Sequence, residues 1–406
     1  MTCAIVDAHG AGRLLPDALR RRGVRCVHVR SPFPDPRLPG PPEGFAADLA
    51  HGGDLASTAR ALRELGVRAV LAGAESGVLL ADELAAELAV PGNGTRNPLA
   101  RRDKHEMQRA VLNAGLAAAP GLRSASAAEV VAWAVARDEW PVVLKPVLSA
   151  GTDNVLLCES PEQVAAAHAK IMGSVDRYGR PNGTVLAQRF LVGTEHYVNS
   201  VSRDGAHQVV EVWRYHKRIV DDRAIYDYED LLDPTDPAAE AVAAYVRSVL
   251  DALEVRNGAG HTEVMLTEEG PVLIECGSRL GGGQLPELLT RCTGTNQVDA
   301  LAGSIADPER FRSAAAEPYR LRLRLRCVNL ISTRDGGRVP GPGDWAAVEA
   351  LPSFAGAVLT APGGTPLSRT VDMATCPGTV YLAAPDESAL DADRVRLREL
   401  ERDLYG

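Results

Sequence analysis

Two glutamates, Glu263 and Glu275, stand in the stretch Gly258–Gly283, GAGHTEVMLTEEGPVLIECGSRLGGG. Short apolar runs at Thr262–Leu266 and Pro271–Cys276 flank Thr267-Glu268-Glu269-Gly270, which is a hairpin signal. Side chains alternate along a strand. Val264, Leu266, Val272 and Ile274 are therefore expected on a core face, and Glu263, Met265, Leu273 and Glu275 on the other. The turn sets the two carboxylates side by side. They repel unless a cation lies between them, and Mg²⁺ takes one or two carboxylates together with substrate phosphates. Arg279, four residues after Glu275, adds a fixed cation. Gly281-Gly282-Gly283 lets a backbone approach a ligand closely. Taken alone, the stretch reads equally well as an ordinary hairpin with solvated glutamates.

Other residues could handle phosphate. Lys145 ends the apolar run Val142-Val143-Leu144, so its stem is half buried, and a buried ammonium wants an anion. The small-residue loop after it, through Ser149 and Gly151, can wrap a phosphate with backbone N–H groups. It lacks the GK[ST] of a P-loop. Gln188-Arg189-Phe190-Leu191 ends a strand and offers backbone groups to a flat base, and Glu195, after the Gly193 turn, can take ribose hydroxyls. Singly, each of these fits a structural role at least as well. Gly10-x-Gly12 is an incomplete dinucleotide fingerprint: Leu15 occupies the third glycine's place, and the second strand ends in Val29-Arg30-Ser31 without an acid.

These residues need elements to hold them. The chain has 406 residues, which predicts two or three domains. With 45% hydrophobic and 24% charged residues it has globular composition. A net charge of −9 argues against a broad nucleic-acid surface. Seven cysteines without a CxxC pair argue against a disulfide framework or zinc site. No leader and no run of ~18–20 apolar residues is seen, so a cytoplasmic protein is expected. Residues 1–98 read as a parallel α/β domain. Leu99–Gly115 carries a helix bearing Lys104, and the strands and helices over 122–191 form a small α+β lobe. The acidic stretch Asp221–Pro234 reads as a surface loop, with a substrate lid as the alternative. Arg320–Arg326 alternates as a strand with one basic face, solvated or paired with carboxylates. Asp391–Leu404 is a terminal helix.

The order of these features resembles the ATP-grasp superfamily. The matching stretches are RRDKHEMQRAVLNAGL, VVLKPVLSAGTDNV, VLAQRFLVGTE and the hairpin itself, spanning about 99–305. Within it, Gly73-Ala74-Glu75-Ser76-Gly77 and Arg279-Leu280-Gly281-Gly282-Gly283 resemble carboxylate–amine ligases of the L-amino acid ligase type. The resemblance implies three domains: a Rossmann-like 1–98, a two-lobed ATP-grasp core 99–305 with a lid lobe about 122–191, and an α+β domain 306–406. It implies that Lys104 and Lys145 contact ATP phosphates, with Ser149 and Gly151 beside them. Gln188, Arg189, Phe190 and Leu191 would line the adenine pocket, and Glu195 would hold ribose. Glu263 and Glu275 would bind Mg²⁺, two ions being expected and Mn²⁺ acceptable. Arg279 would stabilise an acyl-phosphate. Where the family often has an asparagine completing the metal shell, this chain has Gly277. Substrate contacts are assigned to His216, Tyr226, Gly282 and Gly283. The expected partners are a small carboxylic acid and an amine, with neither nucleic acid nor membrane, and a homodimer is compatible. The alternatives are formate- or bicarbonate-using ATP-grasp chemistry and a non-catalytic nucleotide-binding module.

Overall fold

Three sheets divide the labour of the chain. A computed structural model describes all residues except 150–152, 221–222, 284, 342, 374 and 406. The first sheet is parallel, in the order β3-β2-β1-β4. Its strands are β1 (Thr2–Val6), β2 (Arg25–Arg30), β3 (Asp48–Ala50) and β4 (Val67–Ala72). Apolar residues face both ways along β1, as a strand covered on two sides requires. The covers are α1 (Leu15–Arg20), α2 (Leu55–Glu64) and α3 (Val78–Leu88). Asp54, just outside α2, caps it by accepting from Ser57 N.

Next comes α4 (Lys104–Asn113), started by Asp103, whose side chain accepts from His105 N and Glu106 N at 2.9 and 3.1 Å. This cap fixes Lys104 at the first helical position. A four-stranded antiparallel sheet follows: β5 (Gly121–Ser124), β6 (Val142–Pro146), β7 (Leu156–Cys158) and β8 (Val185–Arg189), in the order β5-β8-β6-β7. It packs through Val142, Leu144, Val185 and Ala187 on α5 (Ala127–Arg137) and α6 (Pro161–Met172).

The largest sheet has eight strands in the order β13-β12-β9-β10-β11-β14-β16-β15. They are β9 (Thr194–Arg203), β10 (Ala206–Val220), β11 (Arg223–Leu231), β12 (Gly258–Thr267), β13 (Gly270–Gly277), β14 (Arg324–Asn329), β15 (Phe354–Leu359) and β16 (Gly378–Ala384). One face is closed by α7 (Pro237–Ala252), whose Val242, Val246 and Leu250 join Val198, Val264 and Leu273 in the main core. Burying each such side chain contributes roughly 1.5–3 kcal/mol. The chain then runs through α8 (Pro286–Thr293), α9 (Gln297–Ala306), α10 (Pro308–Ala314) and α11 (Ala346–Glu349) to α12 (Glu387–Leu404).

Three expectations need correcting. First, most of the acidic stretch is strand: β11 pairs with β10 and β14, while 221 and 222 lie outside the described residues. Asp227 and Asp230 of β11 are not left to water. Asp227 pairs with Arg398, and Asp230 accepts from Arg326 at 2.7 and 3.2 Å. Second, the 320–326 strand begins only at Arg324, and Arg326 is buried in that ion-pair network. Third, the hairpin faces shift. Glu263 opposes Glu275, but Val264 opposes Leu273, so Ile274 is an extra residue, a β-bulge. Leu273 therefore turns to the core beside Val264, and not to the carboxylate face. A one-residue slip reverses every assignment beyond it.

Candidate active site

A cleft opens between the four-stranded sheet and the eight-stranded one. Lys104 reaches it from α4, Lys145 from β6, and Ser149 from the loop after β6. Gln188, Arg189, Phe190 and Leu191 line it at the end of β8. Glu195, Tyr226, Glu263 and Glu275 line its floor from β9, β11, β12 and β13. Eleven of the sixteen site residues singled out from sequence thus meet in one place. Gly151 lies outside the described residues.

The two lysines behave differently. Lys104 Nζ donates to Glu275 Oε1 at 2.8 Å and to the Ser149 carbonyl. Lys145 makes no hydrogen bond or ion pair among the described residues, and it is 8% exposed. Burial, helped by the neighbouring Lys104 ammonium, pulls its pKa down to about 8. Glu275, Glu263 and Glu195 oppose that fall. Such an ammonium lacks the anion it needs.

Glu263 and Glu275 are directly opposed across the β12–β13 ladder. Burial disfavours the charge on Glu263, but His261, Arg279 and Lys104 outweigh it and hold its pKa below the usual range. Two opposed carboxylates beside lysines, one of them unpartnered, form a donor set that fits a divalent ion carrying phosphates. Glu195 is already engaged: Lys217 Nζ donates to one oxygen and Tyr226 OH to the other at 3.0 Å. Gln188 Nε2 is turned to the Ala119 carbonyl at 3.4 Å. Arg189 points outward, 3.5 Å from Glu139.

Arg279 does not line the cleft. Its Nε donates to Glu75 Oε2 at 3.0 Å, and its Nη1 to the Leu280 carbonyl at 2.9 Å. Glu75 comes from the short helical turn that follows β4 and also accepts from Arg102. Burial would raise its pKa, but Arg102 and Arg279 together bring it to about 2. Gly277 is tied to this pair, since a Cβ there would lie 2.9 Å from Glu75 Oε2. Gly283 accepts from Tyr381 OH at 2.7 Å, and Gly282 has open space around it. His216 was misassigned. Alternation along β10 puts it on the face opposite Lys217, where it stacks on Tyr228 at 4.1 Å and sits 3.1 Å from Asp230.

Sequence reading named Glu75 within a resembling stretch but gave it no role, and it missed Lys217 and Glu229. Glu229 accepts from Tyr197 OH at 2.8 Å, and burial pushes its pKa up to about 7. Alternation in WRYHKRIV was the available signal for Lys217 once β10 is taken as a strand.

Comparisons with known proteins bear on this cleft. An ATP-grasp domain model matches residues 138–287. Dapdiamide A synthase of Enterobacter agglomerans is 31% identical over 417 aligned positions, covering 99% of this chain and 96% of the relative. The chain belongs to the ATP-grasp carboxylate–amine ligases. The L-amino acid ligase from Bacillus licheniformis superposes with a TM-score of 0.73 at 16% identity, covering 98% of this chain and 97% of that one. An ADP complex of N5-carboxyaminoimidazole ribonucleotide synthetase gives 0.70 at 14% identity, covering 100% and 98%. This chain is an ATP-dependent carboxylate–amine ligase that uses Mg²⁺, forms an amide bond through an acyl-phosphate and releases ADP. Among the described residues no helix is long and apolar enough to cross a membrane.

Proposed function

We propose that the chain joins an amino acid, or a small amino-acid-like acid, to an amine. The reading is carried by one observation: Lys104, Lys145, Glu263 and Glu275 converge on one cleft between two sheets. That dapdiamide A synthase matches along nearly its whole length supports small, amino-acid-like substrates.

The base of ATP enters the slot edged by Gln188–Leu191, against Met265 and Ile274. Its phosphates meet Lys104, Lys145 and Ser149. Glu263 and Glu275 hold the divalent ion, whose chemistry there is neutralisation of phosphoryl charge. The acid's carboxylate attacks the γ-phosphorus, and ADP leaves. Lys104 and Lys145 compensate the charge that spreads over the phosphoryl oxygens, which is most of the catalysis in phosphoryl transfer. Arg279, held by Glu75 beyond the cleft lining, is the residue assigned to stabilise the acyl-phosphate. The amine then attacks the acyl carbon, and phosphate departs. The acyl-phosphate must be kept from water, and the lobe 122–191 is the part that closes over it. The limits 1–98, 99–305 and 306–406 serve as the working domain division. Seven cysteines without a disulfide between them support a reducing, cytoplasmic setting.

The test is ADP release from ATP and Mg²⁺ with pairs of L-amino acids, the product identified by mass spectrometry. Ligation is expected for a restricted set of pairs. ATP binding without turnover for any acid and amine would mark a nucleotide-binding module. Turnover on formate or bicarbonate would mark the other ATP-grasp chemistries.

A further inference from the structure

The link between β2 and β3 holds six prolines over residues 31–44, and Asp35 stands between two of them. Proline fixes φ and carries no N–H, so the link is stiffened without a ladder. It inverts the usual sorting of side chains: Phe33 is 57% exposed, while Asp35 is 3% exposed. A carboxylate is buried only with a partner, and here the partner comes from a different part of the fold. Arg177, in the lobe 122–191, donates through Nε to Asp35 Oδ2. In return, Arg37 Nη2 donates to the Arg177 carbonyl at 3.3 Å. Arg37 N holds the other Asp35 oxygen at 3.0 Å. Burial alone would raise the Asp35 pKa, but Arg177 and Arg37 together hold it below the usual range, so the carboxylate is charged.

Arg177 sits on a turn between α6 and β8 that its neighbours lock. Asp176 accepts from Tyr178 N at 2.8 Å, from Arg180 N at 2.9 Å and from Arg180 Nε at 2.9 Å. Tyr178 then lies between two guanidinium groups, with Arg102 5.4 Å and Arg180 5.1 Å from the ring centre, a favourable cation–π arrangement. Arg102, just before α4, also donates to the Leu148 carbonyl at 3.2 Å and to Glu75. The turn therefore docks the lobe on the proline-rich link through Arg177, and on the approach to α4 through Tyr178.

The docked turn reaches directly into the cleft. The Arg177 N–H donates to Ser149 Oγ at 3.3 Å, and that hydroxyl donates to Asp153 Oδ2 at 2.5 Å. The Ser149 carbonyl accepts from Lys104 Nζ. Lys104, Ser149 and Asp153 all line the cleft. The backbone of Arg177 thus places the Ser149 hydroxyl, while its side chain is held by the N-terminal domain. Asp35 is not among the lining residues, so its effect there runs through Arg177.

We propose that Asp35 is a positioning residue for ligation: through Arg177 it latches the lobe 122–191 shut over the cleft and sets Ser149 against the phosphates. This rests on the reading of that lobe as the part that closes over the acyl-phosphate. A latch of charged groups suits a lid that must also open, because each group released is solvated by water, whereas an apolar seam would be left exposed. With the latch cut, water reaches the acyl-phosphate and takes the amine's place at the acyl carbon. The bond from that carbon to the phosphate oxygen breaks, free acid and inorganic phosphate leave, and the water proton passes to solvent. ATP is then consumed without amide formation. Asp35 therefore governs how much amide is formed per ADP released.

The test counts amide and ADP in the same reaction, with the whole chain and an amino-acid pair that it ligates. Relative to the unsubstituted chain, Asp35→Asn should form about half as much amide per ADP, or less. Raising the amine concentration should restore that yield, because amine then outruns water. Loss of stability does not mimic this, since unfolded chains release no ADP. Closure is read separately by spin labels at Arg60→Cys in α2 and Lys170→Cys in α6, both exposed, the seven native cysteines being buried. With ADP and Mg²⁺ added, the distribution of label-to-label distances should be narrow, and it should broaden in Asp35→Asn. An unchanged distribution would overturn the role of Asp35, whatever the yield. A distribution that broadens while the yield holds would overturn the reading of the lobe as the acyl-phosphate's guard, and this proposal with it. A yield that falls and does not recover with amine would overturn the proposal too. Should Asp35→Asn fold poorly, Arg177→Met cuts the same contact from the side of the lobe and is held to the same outcomes.

Discussion

The β12–β13 hairpin and the strand β11 are both rich in carboxylates, yet the chain treats them in opposite ways. On β11, the chain brings its own cations: Arg398 to Asp227, and Arg326 to Asp230. On the hairpin, among the described residues, Glu275 pairs with Lys104 alone, and the Lys145 ammonium beside it has no partner. Internally matched charge is structural. Mismatched charge of both signs in one cleft is a standing demand for a ligand that carries both, such as a metal nucleotide. The comparison teaches that acidity by itself assigns no role; the source of the counter-charge does.

The contrast can be broken by neutralising each region in turn. The largest effect is expected for Glu275→Gln. Ligation should fall about a thousandfold, in the range for losing a preorganised electrostatic group, with the circular-dichroism melting curve nearly unchanged. Arg326→Met should show the reverse. Arg326 is 1% exposed, and its removal leaves Asp230 half-buried without its main cation. Stability should drop by about 3 kcal/mol in urea unfolding, with ATP affinity of the folded protein retained. If Arg326→Met instead lost nucleotide binding at full stability, the division would fail.

Lys145→Met comes next. It should weaken ATP binding roughly thirtyfold by calorimetry, about 2 kcal/mol for a charge-assisted contact. It should not lower the melting temperature, because the ammonium it removes is buried without a partner. The smallest effect is on pH. Lys145 must be protonated to hold phosphate, and burial lowers its pKa to about 8. Bound phosphate raises it. ATP affinity should therefore be flat below pH 8 and fall up to tenfold per unit above it, in a titration from pH 6.5 to 9.5. Lys145→Met should abolish that fall.

What was legible in the sequence follows from the range of the forces involved. The hairpin and the strand bearing Lys145 are set within a few residues, and turn residues and alternation report them. The β11 strand was misread because its neutralising arginines stand 96 and 171 positions away. A run of acids without visible partners looks solvated. The bulge at Ile274 escaped because alternation assumes a uniform ladder. Glu75 escaped because its meaning depends on Arg279, 204 positions on. Much of the cleft's membership was legible because Lys104, Lys145, Gln188–Leu191 and Glu195 stand at or near the ends of local elements, and Glu263 and Glu275 flank a readable turn. His216 was misplaced because it lies on a strand whose face was never assigned.

The Glu75–Arg279 contact carries a lesson for protein engineers. The cleft-forming segment is not a portable cassette, because the Arg279 guanidinium is pinned by a residue from the first hundred. A chimera joined near residue 100 that imports a foreign leading domain without an acid at this spot would release Arg279 and leave the close-set Gly277 turn facing a void. Swaps meant to broaden substrate choice should move Glu75, Gly277 and Arg279 as one indivisible block.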